Sequence, residues 1–325
     1  MNPQHEALKK FGYQINYAIN NYSNHNLSIE NFNNVLIGGL GGSGIGGRIV
    51  KNIFSDTFPV PVEVVADYTL PGYVNEKTLV ILGSYSGNTE ETLTMFSEVK
   101  KRNCTMLILT SGGKLGQLAA ENNLKTYHIE SGFQPRMALG FSLTYLIQIF
   151  GDLVGSSKSE ELKQVAELFN DTKAYEDEAW QVFEAIKPKC KSKFVVLADG
   201  SLEAIGIRFA QQIQENAKHE CFVNVLPEHN HNVIESYYGQ LDSVFFFLNS
   251  NSNSRVSSRF EFLNSLLEVE YNTVIEIGLN QITLASIYQT IHRLDWLSLY
   301  VADYRKVDSL NVPNIASLKE FLENA

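Results

Sequence analysis

Hydrophobic positions fall along the chain in short apolar runs separated by longer amphipathic stretches. Residues 34–39, 61–67, 77–84, 104–111 and 124–130 are runs of four to eight largely apolar residues, the length of buried strands. Between them, 44–55, 88–102 and 113–122 carry helical spacing. A leading helix is predicted over 3–22, and a long apolar helix over 136–154 closes this half. Strands that alternate with helices make βαβ units, hence a parallel sheet with both faces covered.

Gly and Ser in "VGSSKSEE" (154–161) lead into a charged, capped helix and mark a boundary. A chain of 325 residues exceeds the size at which single cores stop growing, so two domains are expected, 1–153 and 154–325. The second half repeats the plan. "SKFVVLADG" is a strand and turn, a helix follows, and further strands are predicted at 220–226, 243–249 and 272–278. "ADGSLEAIGIR" (198–208) resembles "LGGSGIGGRIV" (40–50), which reads as an old duplication of one α/β domain. The stretch 282–306 is one long helix whose apolar spacing suits either a partner or the core.

Composition narrows the class. Apolar content of 44% with 19% charged residues is that of an ordinary globular protein. The chain holds no apolar run long enough for a membrane helix, and its first residues read as an amphipathic helix, so the cytoplasm is expected. Cys104, Cys190 and Cys221 are far apart, which argues against a disulfide framework and a thiolate metal site. A net charge of −10 with no basic run makes nucleic acid an unfavourable partner. A small anion remains possible, because backbone N–H groups and a few cations can hold it locally.

Two loops are candidates for that anion. "GLGGSG" (39–44) satisfies G-x-G-x-x-G between a strand and a helix, with Asp67 at the end of the next strand. That context fits a dinucleotide as in an NAD-dependent dehydrogenase, or a tight turn with no ligand. "SYSGNTEET" (84–92) follows a later strand and puts Ser84, Ser86 and Thr89 at a helix N-terminus. Capping explains one hydroxyl there; three together suit a compact phosphate. Farther on, "QENAKHECFVNVLPEHNHN" contains Glu215 at a helix end and His229 and His231 after a strand. The histidines fit a surface loop, a two-point metal chelate lacking a third ligand, or acid–base work. Arg136 starts a helix after a proline, and Lys319 sits on the last helix; neither is informative alone.

Taken in order, "GGSGIGG", "SYSGNTEET", "QPRMALG", "ENAK", "PEHNHN" and the C-terminal "SLK" resemble the bifunctional phosphoglucose/phosphomannose isomerases of the sugar isomerase (SIS) superfamily. The likeness runs from about residue 30 to the end. It implies two flavodoxin-like SIS domains and an aldose–ketose isomerase that uses no cofactor and no metal. It assigns Gly42 and Ser43 to a first sugar-phosphate loop and Ser84, Ser86 and Thr89 to the phosphate grip. It places Arg136 beside the reacting carbons, makes Glu215 the base, and gives ring opening to His231 with Lys319. It also implies a homodimer whose active sites are shared, the histidine crossing the interface. His229 stands where the family often has Met or a Tyr-like residue, and no role follows for it. A non-catalytic sugar-phosphate sensor on the same fold is the alternative, although such regulators usually carry a DNA-binding appendage and none is visible. An aminosugar synthase would need a glutaminase half for which there is no room.

Overall fold

The computed structural model describes residues 2–238, 241–268 and 271–324. Two helices come first, α1 (Pro3–Lys9) and α2 (Phe11–Asn21). The expected single helix over 3–22 is thus broken at Lys10, whose backbone leaves the helical region. The two pieces serve different cores. The Leu8 carbonyl accepts from His292, whereas α2 buries Phe11, Ile15 and Ala18 elsewhere. The chain packs as two compact units, Lys9–Asn170 and residues up to Leu8 together with those from Asp171 onward. The division falls beyond the 153/154 boundary read from composition. Helix α7 (Ser159–Glu167) packs on α2, and Phe169 meets Phe11 edge-on at 5.1 Å.

In the first unit the chain runs β1 (Asn34–Gly38), α3 (Gly41–Ile53), β2 (Val62–Val65), β3 (Thr78–Ser84), α4 (Glu90–Lys101), β4 (Thr105–Thr110), α5 (Gly113–Glu121), β5 (Lys125–His128) and α6 (Leu139–Leu153). All five predicted strands form, and they pair in parallel in the order β2-β1-β3-β4-β5. Strand β3 is central, and five of its residues in succession are buried, as expected of a strand covered on both faces. Under α4 and α5 the core joins Val80 and Leu82 to Phe96, Val99 and Ile108. On the other side, α6 is buried along its whole length except Asp152 and packs between α2 and α3. Its apolar residues occupy every face of the helix, the pattern of one surrounded by protein.

The second unit contains α8 (Lys173–Ile186), β6 (Lys193–Asp199), α9 (Glu203–Ala217), β7 (Cys221–Leu226), β8 (Ser243–Asn249), α10 (Ser254–Leu267), β9 (Thr273–Gly278), α11 (Leu284–Arg305) and α12 (Pro313–Glu323). Its parallel sheet has the order β7-β6-β8-β9, the same as the first four strands of the other unit. Side chains alternate across β8: Phe246 meets Phe209 of α9 at 5.0 Å, and Phe245 and Phe247 join the core with Phe260 and Leu263 of α10. The stretch 282–306 becomes α11, started by a capping box between Thr283 and Ser286. It covers the core, with Ile287, Tyr288, Ile291, Leu297 and Leu299 buried. The exposed apolar face lies instead on α12, where Ile315, Leu318, Phe321 and Leu322 face solvent.

Candidate active site

In a sheet of order 2-1-3-4-5 the connections from β1 and β3 run to opposite sides, and a crevice opens at the carboxyl ends of those two strands. The register sets Gly38 of β1 opposite Leu82 of β3, so the two glycine and hydroxyl loops leave the sheet side by side. Helix α3 begins at Gly41, earlier than its apolar pattern indicated. Gly42 and Ser43 therefore belong to a first helical turn, in which the Ser43 N–H donates to the Leu40 carbonyl at 3.0 Å. The Ser43 hydroxyl accepts from the Tyr85 N–H at 3.1 Å, which ties the two loops together. Asp67 turns its carboxylate to the N–H groups of Tyr68 and Thr69 in its own turn, and the strand order differs from that of a dinucleotide-binding sheet.

The second loop divides its hydroxyls by function. Ser84 is buried; its hydroxyl accepts from the Gly87 N–H at 3.1 Å and lies 2.9 Å from the Thr89 hydroxyl. Thr89 occupies the N-cap of α4 but makes no side-chain cap bond. The first N–H groups of α4 thus stay open to an anion, which a helix end stabilises by roughly 0.3–1 kcal/mol, up to about 2 when partly buried. Ser86 is exposed, and its hydroxyl accepts from the Asn88 N–H at 3.2 Å. Gly87 sets the turn. Its φ is +69°, and a Cβ there would sit 1.9 Å from the Gly112 carbonyl oxygen, so only glycine fits. The Asn88 carboxamide and the Gly87 carbonyl accept from the Lys114 and Leu115 N–H groups, which docks the loop on the start of α5.

Arg136 lies in a 3-10 turn (Pro135–Met137) just before α6, rather than in the α-helix itself. It is only 5% exposed. The turn presses on the first turn of α3: a Cβ on Gly42 would meet the Pro135 carbonyl oxygen at 2.8 Å and the Arg136 Cα at 3.2 Å. Gln14, fully buried on α2, braces the far side by donating to the Met137 carbonyl and accepting from the Gly140 N–H. The Tyr85 hydroxyl donates to the Glu130 carbonyl and accepts from the Phe133 N–H, linking the second loop to the approach of this turn. The first unit therefore sets the loops carrying Gly42, Ser43, Ser84, Ser86 and Thr89 side by side at the carboxyl ends of β1 and β3, with the turn of Arg136 against the start of α3. Gln14 and Tyr85 were not read from the sequence, since a buried glutamine and a loop tyrosine carry no local signal.

The matching position in the second unit is filled by the chain itself. Asp199, at the end of β6 and 5% exposed, accepts from the N–H groups of Ser201 and Leu202 at the start of α9. Its other oxygen accepts from the Ser250 N–H, after β8. The carboxylate joins the two loops as Ser43 and Tyr85 do in the first unit, but as an anion. The Gly200-Ser201 resemblance to Gly42-Ser43 is thus a likeness of backbone; the charge that Asp199 brings is what distinguishes the two cradles.

Elsewhere in the second unit, Glu215 stands half-buried in the last turn of α9. Lys218, in the left-handed C-cap, donates to the Glu215, Asp308 and Asn311 carbonyls at 2.6–2.7 Å. This anchors the loop leading into α12, the helix that carries the exposed Lys319. The "ENAK" lysine thus acts on backbone. His231 follows β7 in a 3-10 turn (Glu228–His231) with its side chain exposed, and its ring has no hydrogen bond to another described residue. His229 is buried, with its Nε2 at 2.8 Å from the Tyr237 hydroxyl. The two imidazoles occupy different environments, unlike a two-point chelate. Among the described residues no three His, Cys, Asp or Glu side chains cluster as a metal would require.

Residues 28–138 match the SIS domain family, and residues 176–322 match the bacterial phospho-glucose isomerase C-terminal SIS domain. The chain is 32% identical over 319 residues to a bifunctional phosphoglucose/phosphomannose isomerase of Caldicellulosiruptor bescii, covering 94% of each chain. It is also 32% identical over 300 residues to the protein of that name from Aquifex aeolicus, covering 90% of this chain and 91% of the other. A solved structure, the C-terminal domain of glucosamine-fructose-6-phosphate aminotransferase from Francisella tularensis, shares the fold with a TM-score of 0.75 at 16% identity, covering 95% of this chain and 98% of that one. Two parallel sheets of matching order, loops paired at the strand ends and kinship over nearly the whole length agree: the chain belongs to the bifunctional phosphoglucose/phosphomannose isomerase family.

Proposed function

We propose that the protein interconverts glucose 6-phosphate and mannose 6-phosphate with fructose 6-phosphate through an enediol. The open N-terminus of α4, with Ser86 exposed beside it and Thr89 turned away from its cap, carries this reading. Such a cradle suits a single phosphate, and the first turn of α3 and Arg136 adjoin it. The phosphate fixes the sugar, and binding energy spent there orients the distant carbons.

Glu215 takes the proton from C2 of the open aldose and returns it to C1, while the proton on O2 passes to O1. One carboxylate suffices, as glutamate does in triosephosphate isomerase. Arg136 faces the oxygens on which negative charge grows. His231, aided by Lys319, opens the ring by moving the C1 hydroxyl proton to the ring oxygen. The two hexose phosphates differ only at C2, where the enediol is planar, so one base serves both. The free, buried Cys104, Cys190 and Cys221 fit a reducing cytoplasm.

A coupled assay with both sugar phosphates tests the grip. Ser86→Ala combined with Thr89→Ala is expected to raise KM about 10²- to 10⁴-fold, because two hydrogen bonds to a charged group are lost and each contributes about 1.5–3 kcal/mol. The kcat should stay within about threefold, the mark of uniform binding. A fall in kcat alone would remove the loop from ground-state phosphate binding.

The working form is a homodimer with shared sites. The exposed His231 and the solvent-facing apolar side of α12 suit such an assembly. Glu215→Gln and His231→Ala variants, each strongly impaired on glucose 6-phosphate when alone, are expected to regain activity when unfolded and refolded together. A heterodimer then contains one site with both native residues. No recovery, with mixed dimers present by mass, would place both groups in one chain's site.

A further inference from the structure

We propose that His229 is a positioning residue that holds the turn presenting His231, an inference that rests on the ring-opening role given to His231 above. Only one residue separates the two imidazoles, yet their surroundings are opposite: His229 is 2% exposed, while His231 points to solvent. Both ring nitrogens of His229 are engaged. Nε2 lies 2.8 Å from the Tyr237 hydroxyl, and Nδ1 lies 3.4 Å from the Asn230 amide nitrogen.

The partners determine the tautomer. Arg259 on α10 donates to the Asn230 carbonyl oxygen at 3.3 Å, so Asn230 must present its NH2 to His229. Nδ1 is then the acceptor, and Nε2 carries the hydrogen and donates to Tyr237. Burial pushes the His229 imidazole below its ordinary pKa, in keeping with a neutral ring. Protonation at Nδ1 would point a second hydrogen at the Asn230 NH2. Tyr237 is in turn anchored, its ring edge-on to Phe245 of β8 at 5.3 Å. A directional chain thus runs from α10 through Asn230 and His229 to Tyr237. His231 is bracketed on its other side by Asn232, whose amide donates to Glu228 at 2.9 Å and whose carbonyl oxygen accepts from the Val233 N–H at 2.6 Å. A Met at position 229 would fill the space but could not make either bond.

The test compares two substrates. Glucose 6-phosphate must be opened; an analogue lacking both the 4- and 5-hydroxyls can close neither a five- nor a six-membered ring. His229→Phe is expected to lower kcat for glucose 6-phosphate about 10- to 100-fold, the scale of a catalytic group displaced by about 1 Å. Turnover of the open analogue should stay within about twofold, and in a His231→Ala background His229→Phe should cost less than about twofold more, since coupled residues are not additive. Tyr237→Phe keeps the ring packing, removes the hydroxyl acceptor and should reproduce the selective loss; it decides the matter if His229→Phe fails to fold. Equal slowing of both substrates, or an additive loss on His231→Ala, would overturn the positioning role. Equal slowing of both substrates by His231→Ala alone would instead overturn the ring-opening reading, and the inference with it.

Discussion

Glu215→Gln is expected to reduce kcat for glucose 6-phosphate by about 10²- to 10⁴-fold, the range for loss of a positioned general base. The amide has nearly the carboxylate's shape but cannot accept the C2 proton. Affinity for the sugar phosphate should change only a few-fold, because the proposed grip lies on α3 and α4 of the other unit. The fold should survive. Neighbouring groups secure the end of α9: Asn216 donates to Ser298 at 2.9 Å, and Arg305 donates to the Ala217 carbonyl at 3.0 Å. Isotope exchange at C2 in deuterated water is the direct readout and should vanish with turnover. Exchange at the native rate in the variant would remove Glu215 from the proton transfer.

Arg136→Met should lower kcat by about 10²- to 10³-fold, the usual effect of removing one preorganised group that stabilises developing negative charge. Arg136→Lys should recover part of this, since the charge stays but the rigid two-pronged donor is lost. The burial of Arg136 raises a competing explanation, that the side chain only supports its turn. The two roles separate by inhibitor affinity. A hydroxamate analogue of the enediolate should weaken in step with kcat/KM across the variants, whereas inorganic phosphate should bind nearly as before. Unchanged hydroxamate affinity would show that Arg136 does not meet the enediolate. A large fall in melting temperature for Met but not Lys would assign the residue to the turn.

Much of this organisation is written in short-range pattern. The runs at 77–84 and 243–249 emerge as β3 and β8 because a strand covered on both faces must be apolar at every position. The glycine and hydroxyl loops could be recognised because strand–turn–helix junctions have few chemical solutions. Element types, the α/β class and the position of the candidate loops at strand–helix junctions therefore follow from neighbours in the chain. Burial of individual polar groups does not, because it depends on residues remote in sequence. Ser84, Ser86 and Thr89 look equivalent along the chain, yet the fold buries Ser84 and leaves Ser86 open. His229 and His231 look interchangeable until Tyr237, Asn230 and Arg259 engage the first and leave the second to solvent. Gly200-Ser201 resembles a second cradle until Asp199 turns its own carboxylate onto the N–H groups. Hydrophobic periodicity repeats every two or four residues and is visible locally; a hydrogen-bond partner 29 residues away, as Arg259 is for Asn230, is chosen only when the chain has packed.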